Sequence, residues 1–576
     1  MANQMNISRR GFIGVAGAAG LGALGLAACS PQDSTEEETP SGGTNTEGPA
    51  TTDWLGVEPD VAEADVVETL NTGILIVGAG AAGIVAGATA ADLGEDFIIV
   101  DKYTEPTAPH FDIGAINSRF TPPGQEIDKG RLLNELNRYA SFKNDADVCR
   151  VWIDESAEMV EWLADGPYAS IPEMTVNVAV ENGGDGRAGG TLYYMPAECH
   201  TFVAPNPDGM PIVNHSTALT DFIVSKGHEV LYGHDLIKLI KEGDKVTGAY
   251  LQTEGGIKRI NASKGVVVAT GGYAANPDIL AARDPMVVAC VTSTNFNMLN
   301  TGQGIKAGLW AGGSMDVEPA HMIFDRGLVL PGVDAGIDPN TKMFRTGGQT
   351  NFGSQPFLKV SRLGRRIANE SCNYDAICHA ASRHPGGVWC TIFDANMPDD
   401  VLRFQTQGCS AGTWTQFAPG GRSEGLSVAE VYANQIEEGL LIEAATLDEL
   451  ADKLGFSGDA KTTFLATVER YNELYDLGQD VDQGKEAYRL SAVRQAPFYG
   501  AWFGGSLLNT LDGLRIDKNM QVLSPDDTPV PGLYAIGTAS GSFYSGNYPV
   551  YLVGDCMGRN MTFGRHVVRH LAGDLP

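Results

Sequence analysis

Six residues, Gly78-Ala79-Gly80-Ala81-Ala82-Gly83, constrain this chain more than any others do. They follow Ile74-Leu75-Ile76-Val77, a short, wholly apolar run suited to a strand buried on both faces. A small-residue helix is predicted from about Ala82 to Leu93, and a second apolar run, Phe97-Ile98-Ile99-Val100, ends in Asp101. The first glycine makes the turn, and the second lets backbone approach a pyrophosphate at the helix N-terminus. The third lets helix and sheet pack closely. Asp101, eighteen residues past Gly83 and followed by Lys102, stands where a carboxylate accepts ribose hydroxyls. Strand, turn, helix, strand and acid in that order predict a parallel α/β sheet holding a dinucleotide. The motif alone leaves NAD and FAD both open.

The chain has 576 residues, 43% hydrophobic and 19% charged, enough to bury a large core. Its net charge of −31 would be repelled by phosphate backbones, which argues against nucleic-acid partners. Nine cysteines include no C-x-x-C pair, so no zinc ribbon, thioredoxin motif or C-x-x-C-H haem attachment is present. Cys372, Cys378, His379, His384 and Cys390 fit no closed zinc spacing, and no metal is expected. There is no internal repeat.

Residues 1–29 read as an export signal. Ser8-Arg9-Arg10-Gly11-Phe12-Ile13 is a twin-arginine pattern, followed by an uncharged run of 16 residues, Ile13 to Ala28, of which 11 are Gly or Ala. That run is too short and too weakly hydrophobic to span a membrane by itself, and it favours the twin-arginine route, which carries folded proteins. Leu26-Ala27-Ala28-Cys29 fits a lipoprotein cleavage box and equally a chance cysteine after small residues. If it is a cleavage box, Cys29 becomes the lipidated first residue of a protein that works outside the cytoplasm. Residues 31–70 hold 11 Asp or Glu and no Lys or Arg, so 30–70 is expected to be a disordered, solvated tether.

Two distant segments separate FAD from NAD. Val266-Val267-Val268-Ala269-Thr270-Gly271-Gly272 is a strand running into a small-residue turn, and Pro531-Gly532-Leu533-Tyr534-Ala535-Ile536-Gly537 repeats that design near the C-terminus. Together they resemble the second and third FAD-contacting segments of the fumarate reductase/flavocytochrome c and 3-ketosteroid dehydrogenase superfamily. Gly114-Ala115-Ile116-Asn117-Ser118 resembles that family's flavin-contacting turn. The likeness covers about residues 73–572. It implies non-covalent FAD held by Gly78, Gly80, Ala82, Gly83, Asp101, Lys102, the 114–118 turn, Thr270, Gly271, Gly272, Gly537, Leu552 and Val553. The implied fold is α/β, a discontinuous Rossmann-like FAD-binding domain (71–290 and 495–576) with an inserted α+β capping domain (291–494). Trp310, Phe324, Phe344, Phe352, Trp389 and Trp414 are candidates for lining an apolar pocket in that cap or for simple core packing.

The fumarate-reducing branch holds a dicarboxylate with His and Arg side chains and protonates the alkene with an Arg. Here Glu-Pro-Ala-His321 resembles the region carrying a substrate-binding His, and a purely structural histidine is the competing reading. The family's R-F-x-N-E-x-T-T-R-D reads Arg366-Ile367-Ala368-Asn369-Glu370-Ser371-Cys372-Asn373-Tyr374-Asp375, which puts Tyr374 in place of the proton-donating Arg. H-H-T-M-G-G reads Leu508-Asn509-Thr510-Leu511-Asp512-Gly513, and N-R-L-G-G reads Asn547-Tyr548-Pro549-Val550-Tyr551. The carboxylate-binding His is lost and Tyr548 replaces the clamping Arg. Arg grips carboxylates through a bidentate cationic fork, whereas Tyr offers one neutral hydroxyl. The expected substrate is therefore an enone-type alkene without fumarate's paired carboxylates.

Tyr548-Pro549 also resembles the Tyr-Pro of 3-ketosteroid dehydrogenases, although that family has Gly where this chain has Leu552. The stretch from Gly541 to Arg565 is similar to exported flavin reductases of gut bacteria, a group that includes a cardiac glycoside reductase. The resemblance implies that hydride leaves reduced FAD for the β-carbon, Tyr548 hydrogen-bonds the conjugated carbonyl, and Tyr374 protonates the α-carbon. A helix starting near Val553 is expected to aim its N-terminal N–H groups at the flavin pyrimidine. With no haem motif on the chain, electrons are expected from a membrane-linked cytochrome or flavoprotein, as in anaerobic respiration. A ketosteroid-type dehydrogenase running the oxidation and a non-enzymatic exported electron carrier are the rival readings.

Overall fold

The computed structural model describes residues 53–575 apart from 108–111, 182–195, 206–210, 295–299, 347–348, 407–409, 547 and 551. The predicted export signal, Cys29 and most of the predicted tether lie outside the described residues. Three sheets organise the rest.

The first sheet is built from the apolar runs read above. Pro529–Ala535, Gly256–Val268, Val66–Val77, Phe97–Val100 and Val230–Leu231 lie side by side in that order, all parallel. Ile74, Leu75 and Ile76 are fully buried, as the continuous apolar run of a parallel strand implies. The predicted helix runs Ala81–Leu93 and is buried along almost its whole length. Register matters most at one edge, where Val77 pairs with both Val100 and Val268, and Val268 with Ala535. The turns after these four residues, from three distant parts of the sequence, therefore open on one crevice at the carboxyl ends of the strands. That is where ligands bind in open α/β sheets.

The expected tether ends sooner than its composition suggested. The strand begins at Val66, inside the acidic segment, and pairs with Gly256–Val268 as far back as Ile257. Three of the acids before and within it have basic partners on that sheet: Glu58 with Lys238, Glu63 with Arg259 and Glu68 with Lys258, all at 2.8–2.9 Å.

The second sheet has seven strands, the longest of them Phe498–Thr510 at its centre. That strand pairs in parallel with Val291–Thr294 and antiparallel with His321–Val329, Trp389–Asp394 and Leu441–Ala444. The return to the first sheet, expected near residue 495, thus falls beyond Thr510, because Phe498–Thr510 is buried between cap strands. One apolar core passes from the first sheet into the inner part of the second. A smaller core lies between the second sheet and the helix Gly458–Leu477. Phe324, Phe344, Phe352 and Trp389 are core residues, and Trp310 and Trp414 pack against the core. Ile113–Gly114, Thr175–Glu181 and Ala197–Val203 form the third sheet. Among the described residues no helix is long and apolar enough to cross a membrane.

Candidate active site

The crevice at the sheet edge is shaped by backbone contact. Gly78 has φ +106°, and a Cβ there would lie 2.4 Å from the Ala269 carbonyl oxygen. A Cβ on Gly83 would lie 1.8 Å from the Gly78 carbonyl oxygen, so these two positions accept only glycine. A Cβ on Gly80 would meet nothing within 4 Å, and the helix behind it starts without a side-chain cap. Open space in front of uncapped N–H groups suits a pyrophosphate. Asp101 stands at the end of the second strand, where its Oδ2 accepts from Ala79 N at 2.6 Å and its Oδ1 from Tyr103 N at 2.8 Å. Each carboxylate oxygen keeps a lone pair for a ribose hydroxyl. Burial lowers the pKa of neighbouring Lys102, with Asp235 and Asp101 acting the other way.

Two more segments close the crevice. Thr270 Oγ1 is buried without a hydrogen-bond partner. Gly271 (φ +79°) and Gly272 lead away from it, with Gly272 against Thr510. Gly537 sits over Ala82 of the opening helix. Arg559, fully buried, donates from Nη2 to Gly537 O, Ser540 O and Ser540 Oγ, and its Nε and Nη1 have no partner. One helical turn earlier, burial pushes Asp555 up to about 7, which Tyr544 and Arg559 partly offset. Unsatisfied polar atoms around a glycine-shaped crevice are what a dinucleotide would complete. The residues present therefore fit FAD.

The 114–118 turn is engaged within the protein. Gly114 packs against the helix Asp555–Ala572, where a Cβ on Gly558 would lie 1.7 Å from Gly114 O, and Trp152 Nε1 donates to that oxygen. Ala115 N donates to Glu198 O, Ile116 N to Ser156 Oγ and Asn117 N to Glu198 Oε2, while Ser118 Oγ meets His200 Nε2 at 2.7 Å. Leu552 is buried and Val553 half-buried in the turn before that same helix, which begins at Asp555 with no side-chain cap.

Tyr374 opens the helix Tyr374–Ala381 and is buried against Phe324, with ring centroids 5.7 Å apart. The Arg326 guanidinium lies 4.5 Å from the Phe324 ring centroid and 5.3 Å from that of Tyr374. Arg326 is itself held by Ser354 Oγ and Ser410 Oγ. Tyr548 is also buried, and its hydroxyl accepts from Cys556 N at 3.4 Å in the first turn of the C-terminal helix. The two tyrosines are joined through a residue that sequence reading missed. The hydroxyl of Tyr139 lies 3.3 Å from the Tyr548 carbonyl and contacts both neighbours of Tyr374, namely Asn373 and Asp375.

His321 is committed on both ring nitrogens, with Nδ1 to Asp284 at 2.5 Å and Nε2 to His379 Nε2 at 3.1 Å. Burial opposes its charge, but Asp284 raises its pKa overall, as do Asp375 and Asp512. Burial and then charged His321 lower His379 to about 4, so the proton between them belongs to His321. Nearby cations are likewise paired internally. Arg283 binds Asp512, which also accepts from Tyr273, and Arg366 binds Glu370 and Asp480. Among the described residues no cluster of His, Cys, Asp or Glu is placed to hold a metal ion.

The FAD binding domain family matches residues 73–550. Vinyl phenol reductase of Lactiplantibacillus plantarum is 25% identical over 514 residues, 87% of this chain and 96% of that protein. NADH:acrylate oxidoreductase of Vibrio harveyi is 28% identical over 341 residues, 58% of this chain but only 30% of its own length. Among solved structures, an open conformation of a flavocytochrome c3 fumarate reductase matches with a TM-score of 0.62 at 21% identity, covering 89% of this chain and 79% of that one. The 3-ketosteroid delta1-dehydrogenase of Sterolibacterium denitrificans matches with a TM-score of 0.64 at 18% identity, covering 88% and 100%. These two share its fold.

Proposed function

The chain belongs to the FAD binding domain family, and from that premise we propose that it is an exported reductase of uncharged, carbonyl- or aryl-conjugated alkenes. It is an FAD-dependent oxidoreductase acting on CH–CH bonds. Bound FAD supplies the hydride. The crevice of Gly78, Gly80, Ala82, Gly83, Asp101, Thr270 and Gly537 would hold it. In this reading Tyr548 donates a hydrogen bond to the substrate oxygen, stabilising charge where an enolate develops. Tyr374 gives a proton to the carbon that does not receive hydride.

One observation carries the reading. The two buried tyrosines are tied through a single hydroxyl, while Arg283, Arg366 and His321 are paired with carboxylates inside the protein and Arg326 is held by the hydroxyls of Ser354 and Ser410. In this reading a dicarboxylate would lose hydration and find Arg283, Arg366 and His321 already committed to carboxylates. Vinyl phenol reductase, alike along most of its length, bears a name consistent with a neutral alkene. Export by the twin-arginine signal, a lipid anchor at Cys29 and a membrane-linked electron donor complete the proposal.

The test is turnover by the viologen-reduced, FAD-loaded enzyme with 4-vinylphenol, neutral enones, acrylate and fumarate. Neutral alkenes are expected to be consumed and fumarate left. Tyr374→Phe and Tyr548→Phe should each lower kcat by roughly 100-fold. Wild-type rates in both variants would defeat the assignment. The reverse reaction, a ketosteroid-type dehydrogenation, is favoured by the Tyr548-Pro549 pair. It predicts turnover with a chemical electron acceptor and none with reduced viologen.

A further inference from the structure

Tyr139 ends the helix Lys129–Tyr139, far in sequence from everything its hydroxyl meets. Asn373 Nδ2 donates to that hydroxyl at 2.9 Å, and the hydroxyl oxygen lies 3.3 Å from Asp375 Oδ2 and 3.3 Å from the Tyr548 carbonyl oxygen. Asn373 and Asp375 bracket Tyr374, so one oxygen touches both neighbours of one candidate tyrosine and the backbone of the other. A phenol has one proton, and Asp375 and the Tyr548 carbonyl compete for it. An ionised carboxylate is the stronger acceptor, and a protonated one gives up that advantage.

We propose that Tyr139 and Asp375 form a proton-linked tie that sets the register of Tyr374 and Tyr548. The tie is closed on Asp375 while that carboxyl is ionised and handed to the Tyr548 carbonyl when it is protonated. The use made of this register rests on the roles proposed above for the two tyrosines; the tie itself does not. Both partners are positioning residues, acting on the chemistry through the tyrosines.

The surroundings of Asp375 make such a change accessible. Burial pushes its pKa up to about 6, with charged His321 and the Tyr139 hydroxyl offsetting part of that rise. From the strand His321–Val329 the groups acting on it are His321, with Asp284 and His379 behind it. Cys372 and Cys378, on either side of Tyr374 in sequence, have thiol pKa values driven up by burial and stay neutral. From the FAD-binding side come Tyr139 and the Tyr548 carbonyl. A proton gained by Asp375 is thus taken up inside the site, next to the residue proposed to deliver one to carbon.

The experiment is an infrared pH titration of the oxidised, FAD-loaded enzyme, paired with kcat against pH for a neutral alkene. Asp375→Asn identifies the carboxyl band by removing it. Tyr139→Phe keeps the ring packing, and it should move the midpoint of that band upward by about half a unit or more, since a hydrogen bond to the carboxylate is lost. Wild-type kcat should fall on the acid side with the same midpoint, and that limb should vanish in Asp375→Asn. Retained flavin absorbance in each variant reports folding. An unchanged band midpoint in Tyr139→Phe overturns the tie, and an acid limb that persists in Asp375→Asn overturns its use in turnover. Full activity of both tyrosine-to-phenylalanine variants would strike the reading of Tyr374 and Tyr548, while the infrared shift still decides the tie.

Discussion

Single residues in this molecule divide into those satisfied by the protein and those left waiting. Thr270 belongs to the second kind: its hydroxyl is buried with no partner, at the mouth of the dinucleotide crevice. Thr270→Val should therefore leave the apoprotein's stability within about 0.5 kcal/mol of wild type. It should weaken FAD binding by roughly tenfold, the value of one hydrogen bond, in a flavin titration. The Asp284–His321 pair belongs to the first kind. The raised pKa of His321 means its contribution to stability is complete below its ordinary value of about 6.5 and is lost as pH rises through the folded value. The lowered pKa of Asp284 means the opposite flank is lost as pH falls through that lowered value. Asp284→Asn should cost about 3 kcal/mol near pH 6 in urea unfolding, with the deficit shrinking on both sides.

Elements are held together at this site by close backbone approach. The helix Asp555–Ala572 lies so near Ala81–Leu93 that a Cβ on Gly564 would fall 2.3 Å from Ala82 O. Gly564→Ala should force the two helices apart at a cost of about 1–3 kcal/mol. It should also loosen the pyrophosphate turn, so a lower melting temperature accompanied by release of FAD is the expected result. The strands and the first glycine turn were legible because apolar runs and glycines at fixed spacing have few structural uses. The strand Phe498–Thr510 fell in the piece expected to belong to the FAD-binding domain, since a sequence shows that a strand is buried without showing between which neighbours. Tyr139 was illegible for a related reason: nothing local marks a helix-ending tyrosine whose partners stand more than two hundred positions away. The internal commitment of His321 was hidden too, since Asp284 and His379 lie 37 and 58 residues from it.

Across the whole molecule, charge is sorted rather than scarce. The chain carries −31 overall, yet Arg283, Arg366 and His321 are each paired with buried carboxylates, and Arg326, beside Tyr374, is held by two serine hydroxyls. The proposal of a neutral alkene rests on that sorting together with the roles proposed for Tyr374 and Tyr548. The most direct check is stopped-flow reoxidation of the reduced enzyme, following flavin absorbance after mixing with 4-vinylphenol or a neutral enone in one run and fumarate in another. Rapid reoxidation by at least one neutral alkene, with fumarate slower by about 100-fold or more, is the predicted result. Fumarate reoxidising the flavin as fast as any neutral alkene would contradict the account.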